Sequence, residues 1–244
     1  MTGDEIYIYG KHAVKEAVSY RKDAVRRVFK LATFDDAEVL SALKKSGVPV
    51  STALPQEIDS HVGRDAVHQG ITALIDTSML LTSFEEFIPT LPIDKRPALV
   101  LLGELNDPHN VGAIIRSATA FGISGVLIPE HRQAPITGAV VKASVGMAFR
   151  IPLITVGNAN QTILSLKEKG FWVYGLSAEG EQVLSKEKFT EASLFVIGNE
   201  GRGIRTKTEE HCDIMLRIPI DKAAESLNAS VSAAIVFYQW YAGR

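Results

Sequence analysis

The chain has 244 residues, of which 46% are hydrophobic and 22% charged, and a formal net charge of −2. This length favours two domains over one, and the near-neutral balance excludes affinity for nucleic acid by bulk charge alone. No apolar run of about 18 residues and no basic, apolar leader occurs, so a cytoplasmic protein with no membrane span is expected; the single cysteine, Cys212, excludes an internal disulfide framework and gives no metal-ligand cluster.

In chain order, residues 6–18 read as a turn and a helix, and Val25–Leu31 alternates as a strand. Asp35 is placed to cap a helix that runs to Lys45 and ends at Gly47. A short strand over 48–53, a short helix over 55–61 and a closing strand over 70–75 complete a small α/β domain, residues 1–77. Three prolines, Pro89, Pro92 and Pro97, mark 78–97 as the linker, with enough apolar residues around Phe84 and Phe87 for one short helix.

From 98 to 244 strands and helices alternate. Strands are expected at 98–105, 125–129, 151–156, 171–177, 194–198 and 214–220, and helices at 111–121, 137–145, 159–169 and 227–241. Such alternation implies a parallel sheet covered by helices. The dinucleotide turn G-x-G-x-x-G and the phosphate loop G-x-x-x-x-G-K-[ST] are both missing. Glycines cluster late instead, at Gly198, Gly201 and Gly203 around Glu200, where backbone amides can approach a ligand closely. Ser226 and Asn228 stand at the mouth of an apolar helix whose first N–H groups need partners.

Three motifs occur in order: D-P-H-N-V-G-A-I-I-R over 107–116, G-N-E-G-R-G over 198–203, and Ile218-Pro219 followed by Ser226-Leu227-Asn228. This triplet resembles that of the SpoU/TrmH ribose 2′-O-methyltransferases of the SPOUT superfamily. The resemblance implies a deep trefoil knot in the C-terminal domain, S-adenosylmethionine as cofactor, no metal, and a homodimer built through the last helix. It implies catalytic roles for Asn110, Arg116, Glu200, Ser226 and Asn228, and cofactor contacts at Gly198, Ile218 and Leu227. The segment Tyr9–Val18 and His68-Gln69-Gly70 look like the ribosomal-protein-like RNA-binding domain of one branch of the family, the branch whose members modify a guanosine of 23S ribosomal RNA. RNA contacts are then expected at Arg26 and Arg27 in one basic cluster and at Arg202 and Arg205 in another.

Each residue also has a plainer reading. Arg116 could be a surface arginine paired with Asp107 or Glu200; Asn110, Ser226 and Asn228 could serve only as caps. If catalytic, Arg116 either binds the neighbouring phosphate and polarises the 2′-oxygen or, deprotonated, acts as base; its ordinary pKa above about 12 favours the first. His109 occupies a variable motif position, and Lys222 stands where relatives often carry glycine. Alternatives are a methyltransferase for tRNA, a resistance methyltransferase for ribosomal RNA, and a silent RNA-binding or ribosome-assembly factor.

Overall fold

The computed structural model describes residues 5–199 and 201–243. The N-terminal domain opens with strand β1 (Glu5–Tyr9), not a turn. It alternates side chains so that Ile8 is buried beneath helix α1 (Lys11–Tyr20), and it pairs antiparallel with β4 (Ile71–Asp76). Next to β4 lies β2 (Val25–Leu31), with β3 (Val50–Ala53) parallel to it, so the sheet order is β1-β4-β2-β3. Helix α1 buries Ala13, Val14, Ala17 and Val18, spaced at one and four residues as a helical stripe requires. Helix α2 (Ala37–Ser46) is capped by Asp36 rather than Asp35, the Asp36 carboxylate accepting from Val39 N at 3.2 Å, and it ends at Gly47. Helix α3 (Pro55–Val62) covers the opposite side near Tyr7 and Phe29.

The larger sheet is parallel throughout. Its first strand, β5 (Leu81–Ser83), lies inside the expected linker and pairs with β8 (Leu153–Val156) at the sheet edge; α4 (Phe84–Phe87) follows and packs Phe84 and Phe87 into the second core. The chain then runs through β6 (Ala98–Leu102), α5 (Pro108–Ala120), β7 (Gly125–Pro129) and α6 (Gly138–Ala143) to β8. After it come α7 (Ala159–Glu168), β9 (Phe171–Leu176), β10 (Gln182–Val183), β11 (Ala192–Ile197), α8 (Thr206–Glu209), β12 (Ile214–Arg217) and α9 (Ala229–Ala242). The order is β10-β12-β9-β11-β6-β7-β8-β5. Strands β6, β7 and β11 are buried along their whole length, as central strands covered on both faces must be.

The two domains pack closely. A Cβ at Gly138, the first residue of α6, would lie 2.3 Å from the Tyr7 carbonyl oxygen, so only glycine lets α6 approach β1 this far. Arg150 grips Glu16 of α1 through two bonds of 2.5 and 3.1 Å, and its guanidinium lies 4.1 Å from the centroid of the Tyr20 ring. Apolar residues of α1 and of α6 belong to one continuous core. Among the described residues no helix is long and apolar enough to cross a membrane.

Candidate active site

Strands β12, β9 and β11 are neighbours and parallel, so the loops that leave them emerge on one edge. Residues 176–178, 197–199 and 202–204, with Ile218, Ile220, Ser226 and Leu227 of the last loop, enclose a pocket of about 300 Å³. This is the carboxyl end of a parallel sheet, where α/β proteins place ligands, but at later strands than a dinucleotide-binding domain would use. Of the expected residues, Gly198, Arg202, Ile218, Ser226 and Leu227 line it together. The pocket needs glycine at 198: a Cβ there would lie 2.5 Å from Gly203 C and Ile204 N, both backbone atoms. Ile218-Pro219-Ile220, expected to extend the last strand, instead leaves the sheet at Arg217, and Ile218 and Ile220 become pocket wall.

Asn199 holds the glycine turn in shape, a role the sequence reading did not assign. Its backbone exchanges two hydrogen bonds with Gly203 at 3.0 and 2.9 Å. Its side-chain Oδ1 accepts from Gly201 N and Arg202 N at 3.0 and 3.2 Å, while Nδ2 donates to the Glu104 carbonyl at 2.9 Å. The turn is thereby tied to the β6–α5 loop. The asparagine in G-N-E-G was the available signal, since asparagine commonly bonds the backbone two residues on.

Asn228 caps α9, as its plainer reading expected, and also reaches Asn110. Its Oδ1 accepts from Ser230 N at 2.8 Å and Val231 N at 3.4 Å as the N-cap of α9, and its Nδ2 donates to Asn110 Oδ1 at 2.9 Å. Asn110, buried in the first turn of α5, therefore joins the starts of α5 and α9 beside the pocket. Ser226 does not cap α9; it lines the pocket. Lys222 lies in an exposed turn closed by Asp221, whose carboxylate accepts from Ala223 N at 2.8 Å, so the loop turns without glycine.

Arg116 is exposed on α5 and lines no part of the pocket. The surface ion-pair reading finds no partner among the described residues: Asp107 is occupied as the α5 N-cap, accepting from His109 N at 2.8 Å. Glu200 lies outside the described residues. The basic residues divide. A register shift in β2 turns both Arg26 and Arg27 outward; Arg26 pairs with Asp76, and Arg27 Nη1 donates to Ser51 Oγ at 3.1 Å. The Ser78 hydroxyl, helped by the Arg26 guanidinium, holds the Asp76 carboxyl below the usual carboxylate range. Arg205 is bidentate to Glu104, at 2.6 and 2.8 Å. No ion pair engages Arg202 among the described residues.

This geometry has a counterpart among known proteins. The SpoU rRNA Methylase family matches residues 97–238, and a second family, described as RNA 2′-O ribose methyltransferase substrate binding, matches residues 7–80. The chain belongs to the SpoU rRNA methylase family. It is 35% identical over 236 residues to the 23S rRNA (guanosine-2′-O-)-methyltransferase RlmB of Salmonella typhimurium, covering 95% of this chain and 96% of that protein. The protein of that name from Escherichia coli K12 is likewise 35% identical over 236 residues, with the same coverage. Among solved structures, the SpoU methyltransferase AviRb of Streptomyces viridochromogenes in complex with AdoMet superposes with a TM-score of 0.82 over 98% of this chain and 90% of that one. At 21% identity this likeness concerns the fold.

The pocket suits S-adenosylmethionine. Leu176, Ile197, Ile218 and Leu227 offer apolar walls for an adenine, while Ser177, Asn199, Ser226 and the glycine backbone offer hydrogen bonds to a ribose and an amino-acid end. Glu209 and Arg202 supply one charge of each sign for a zwitterionic tail. The family's chemistry, transfer of a methyl group from that cofactor to an RNA ribose 2′-hydroxyl, fits this cleft.

Proposed function

We propose that this protein methylates the ribose 2′-hydroxyl of a guanosine in 23S ribosomal RNA, in the cytoplasm, as a homodimer. The observation that carries the reading is the 35% identity, spread over 95% of the chain, to proteins named for that reaction. The three-loop pocket and the Asn110–Asn228 pair support it from the side of geometry.

The donor, when bound, supplies an electrophilic methyl group for in-line displacement. The chain's residues do the rest. Gly198, Ile218 and Leu227 hold the cofactor, positioning that accounts for roughly 7–11 kcal/mol of a barrier in favourable intramolecular models. Arg116, free of ion pairs among the described residues, binds the RNA phosphate and polarises the attacking 2′-oxygen. Asn110 and Asn228 hold the start of Arg116's helix against the cofactor loop, and Ser226 and Glu200 complete the substrate side. The trefoil knot belongs to this reading, supported by a pocket built mainly from the loops after β9, β11 and β12.

The dimer rests on α9. One face is buried through Ala233, Val236, Phe237 and Trp240, yet the other is apolar too, with Val231, Tyr238 and Tyr241 46, 57 and 55% exposed. Phe121 extends that face, its ring 5.8 Å from Tyr238. An apolar surface of this kind fits a two-fold contact. Ribosomal RNA from cells lacking the protein tests the whole reading: one guanosine of 23S RNA should lose its 2′-O-methyl group and regain it on exposure to the protein and cofactor. An unchanged methylation map would overturn it.

A further inference from the structure

Beyond the cofactor pocket, and resting on the RNA reading above, we propose that a second groove, across the glycine turn, seats the RNA backbone that flanks the methylated nucleotide. The groove lies at the carboxyl ends of β6, β7, β8 and β11, and it shares Asn199, Arg202, Gly203 and Ile204 with the cofactor pocket as a common wall. A ligand there is separated from the cofactor pocket by the glycine turn. Its volume is about 1130 Å³ against about 300 Å³ for the cofactor pocket. Sites for small molecules span roughly 300–1,000 Å³, so the groove suits a stretch of polymer better than a second metabolite.

Charge decides which polymer. In a chain whose net charge is −2, the groove carries four cations, Arg132, Arg202, Arg205 and Lys207, against one carboxylate among the described residues, Glu104. Glu104 is already taken by Arg205 at 2.6 Å, which leaves the other three cations without an ion-pair partner among the described residues. Unpaired cations gathered along one concave surface raise the local positive potential for whatever enters. Arg132 is held there with φ at 58°, a left-handed backbone that few residues other than glycine adopt. The strand ends beneath the rim, at Leu101, Leu102 and Val196, are fully buried and closed to a ligand, so recognition rests on the rim, whose unpaired cations match a phosphodiester backbone.

The test uses the full-length protein with Arg132→Gln, Lys207→Gln and the double variant, and a labelled fragment of unmodified 23S RNA as probe. Both residues are exposed, so folding is untouched, and unchanged melting with S-adenosylmethionine affinity within twofold of wild type reports that. The double variant should bind the RNA roughly tenfold more weakly or worse at low salt, and the slope of log affinity against log salt should flatten by roughly 0.7 per removed cation. Arg132→Lys should restore the slope. Wild-type affinity and slope in the double variant would overturn this inference alone. A wild-type chain that binds cofactor but no ribosomal RNA would overturn it together with the functional reading.

Discussion

Replacing Gly198 with alanine probes the pocket with the smallest possible change. The added methyl would lie 2.5 Å from Gly203 C and Ile204 N and 2.8 Å from Gly203 O. Carbon contacts settle at roughly 3.5–4.0 Å, so the turn must retreat by about 1 Å. It is poorly placed to do so, because two backbone bonds close it on Asn199 and the Asn199 side chain anchors it to Glu104 at 2.9 Å. Forcing a methyl into a packed site costs about 1–3 kcal/mol. If the strain falls mainly on the cofactor-shaped form of the loop, affinity for S-adenosylmethionine drops by about five- to 150-fold at 1.4 kcal/mol per decade. Any part borne by the free protein lowers its melting temperature by roughly 2–4 °C per kcal/mol. Gly201→Ala is the control, since the nearest atom to its Cβ is Asn199 Oδ1 at 3.7 Å. Calorimetric titration and thermal melting of both variants read the difference. Equal effects at the two glycines, or wild-type binding by Gly198→Ala, would refute the close-approach argument.

Further outcomes follow from the same geometry. Arg116→Ala should abolish methyl transfer in single-turnover assays while cofactor affinity stays within a few-fold, and Arg116→Lys should be badly impaired as well because a point charge cannot reproduce the planar fork; unchanged turnover in either contradicts the assigned role. Asn228→Asp should keep the α9 cap and near-normal melting but lose the donor to Asn110 and so slow transfer, whereas Asn228→Ala should also lose about 1 kcal/mol of capping stability. Burial, with the charges of Glu209 and Asp213, pushes the Cys212 thiol up to about 12 from 9.0. The unfolded chain therefore ionises first, and the stability this thiol contributes is complete below pH 9.0 and is lost as pH rises towards 12. Cys212→Ala should flatten that alkaline decline in urea titrations, and the native thiol should resist alkylation at pH 8 (below its ordinary 9.0) until the protein unfolds. For the dimer, Ala234→Arg on the outer side of α9 should yield monomers with reduced activity in sedimentation and transfer assays; a fully active wild-type monomer would contradict it.

Much of this arrangement was legible in the chain because local chemistry wrote it plainly. The all-apolar runs at 98–102 and 194–197 read as doubly covered strands, and the glycines at 198–203 announced a close backbone approach, which the fold makes at Gly198. What stayed hidden was non-local. Strand β5 has three residues, and its pairing with β8 across some 70 positions leaves no periodic trace, so the segment reads as linker. β1 alternates tyrosine with isoleucine, a pattern easily merged with the helix that follows. The one-residue error at the α2 cap arose because Asp35 and Asp36 are chemically equivalent in sequence, and only the register of the helix chooses between them. The Arg205–Glu104 ion pair was also hidden, because the two residues lie about 100 positions apart and only the fold brings them together.

Transfer of labelled methyl from S-adenosylmethionine to unmodified 23S ribosomal RNA, followed by complete digestion and mass spectrometry of the nucleosides, tests the central claim most directly. Label is expected in 2′-O-methylguanosine at a single site, with none in Arg116→Ala. Label on a base, on another RNA class in preference to 23S RNA, or nowhere at all would contradict it.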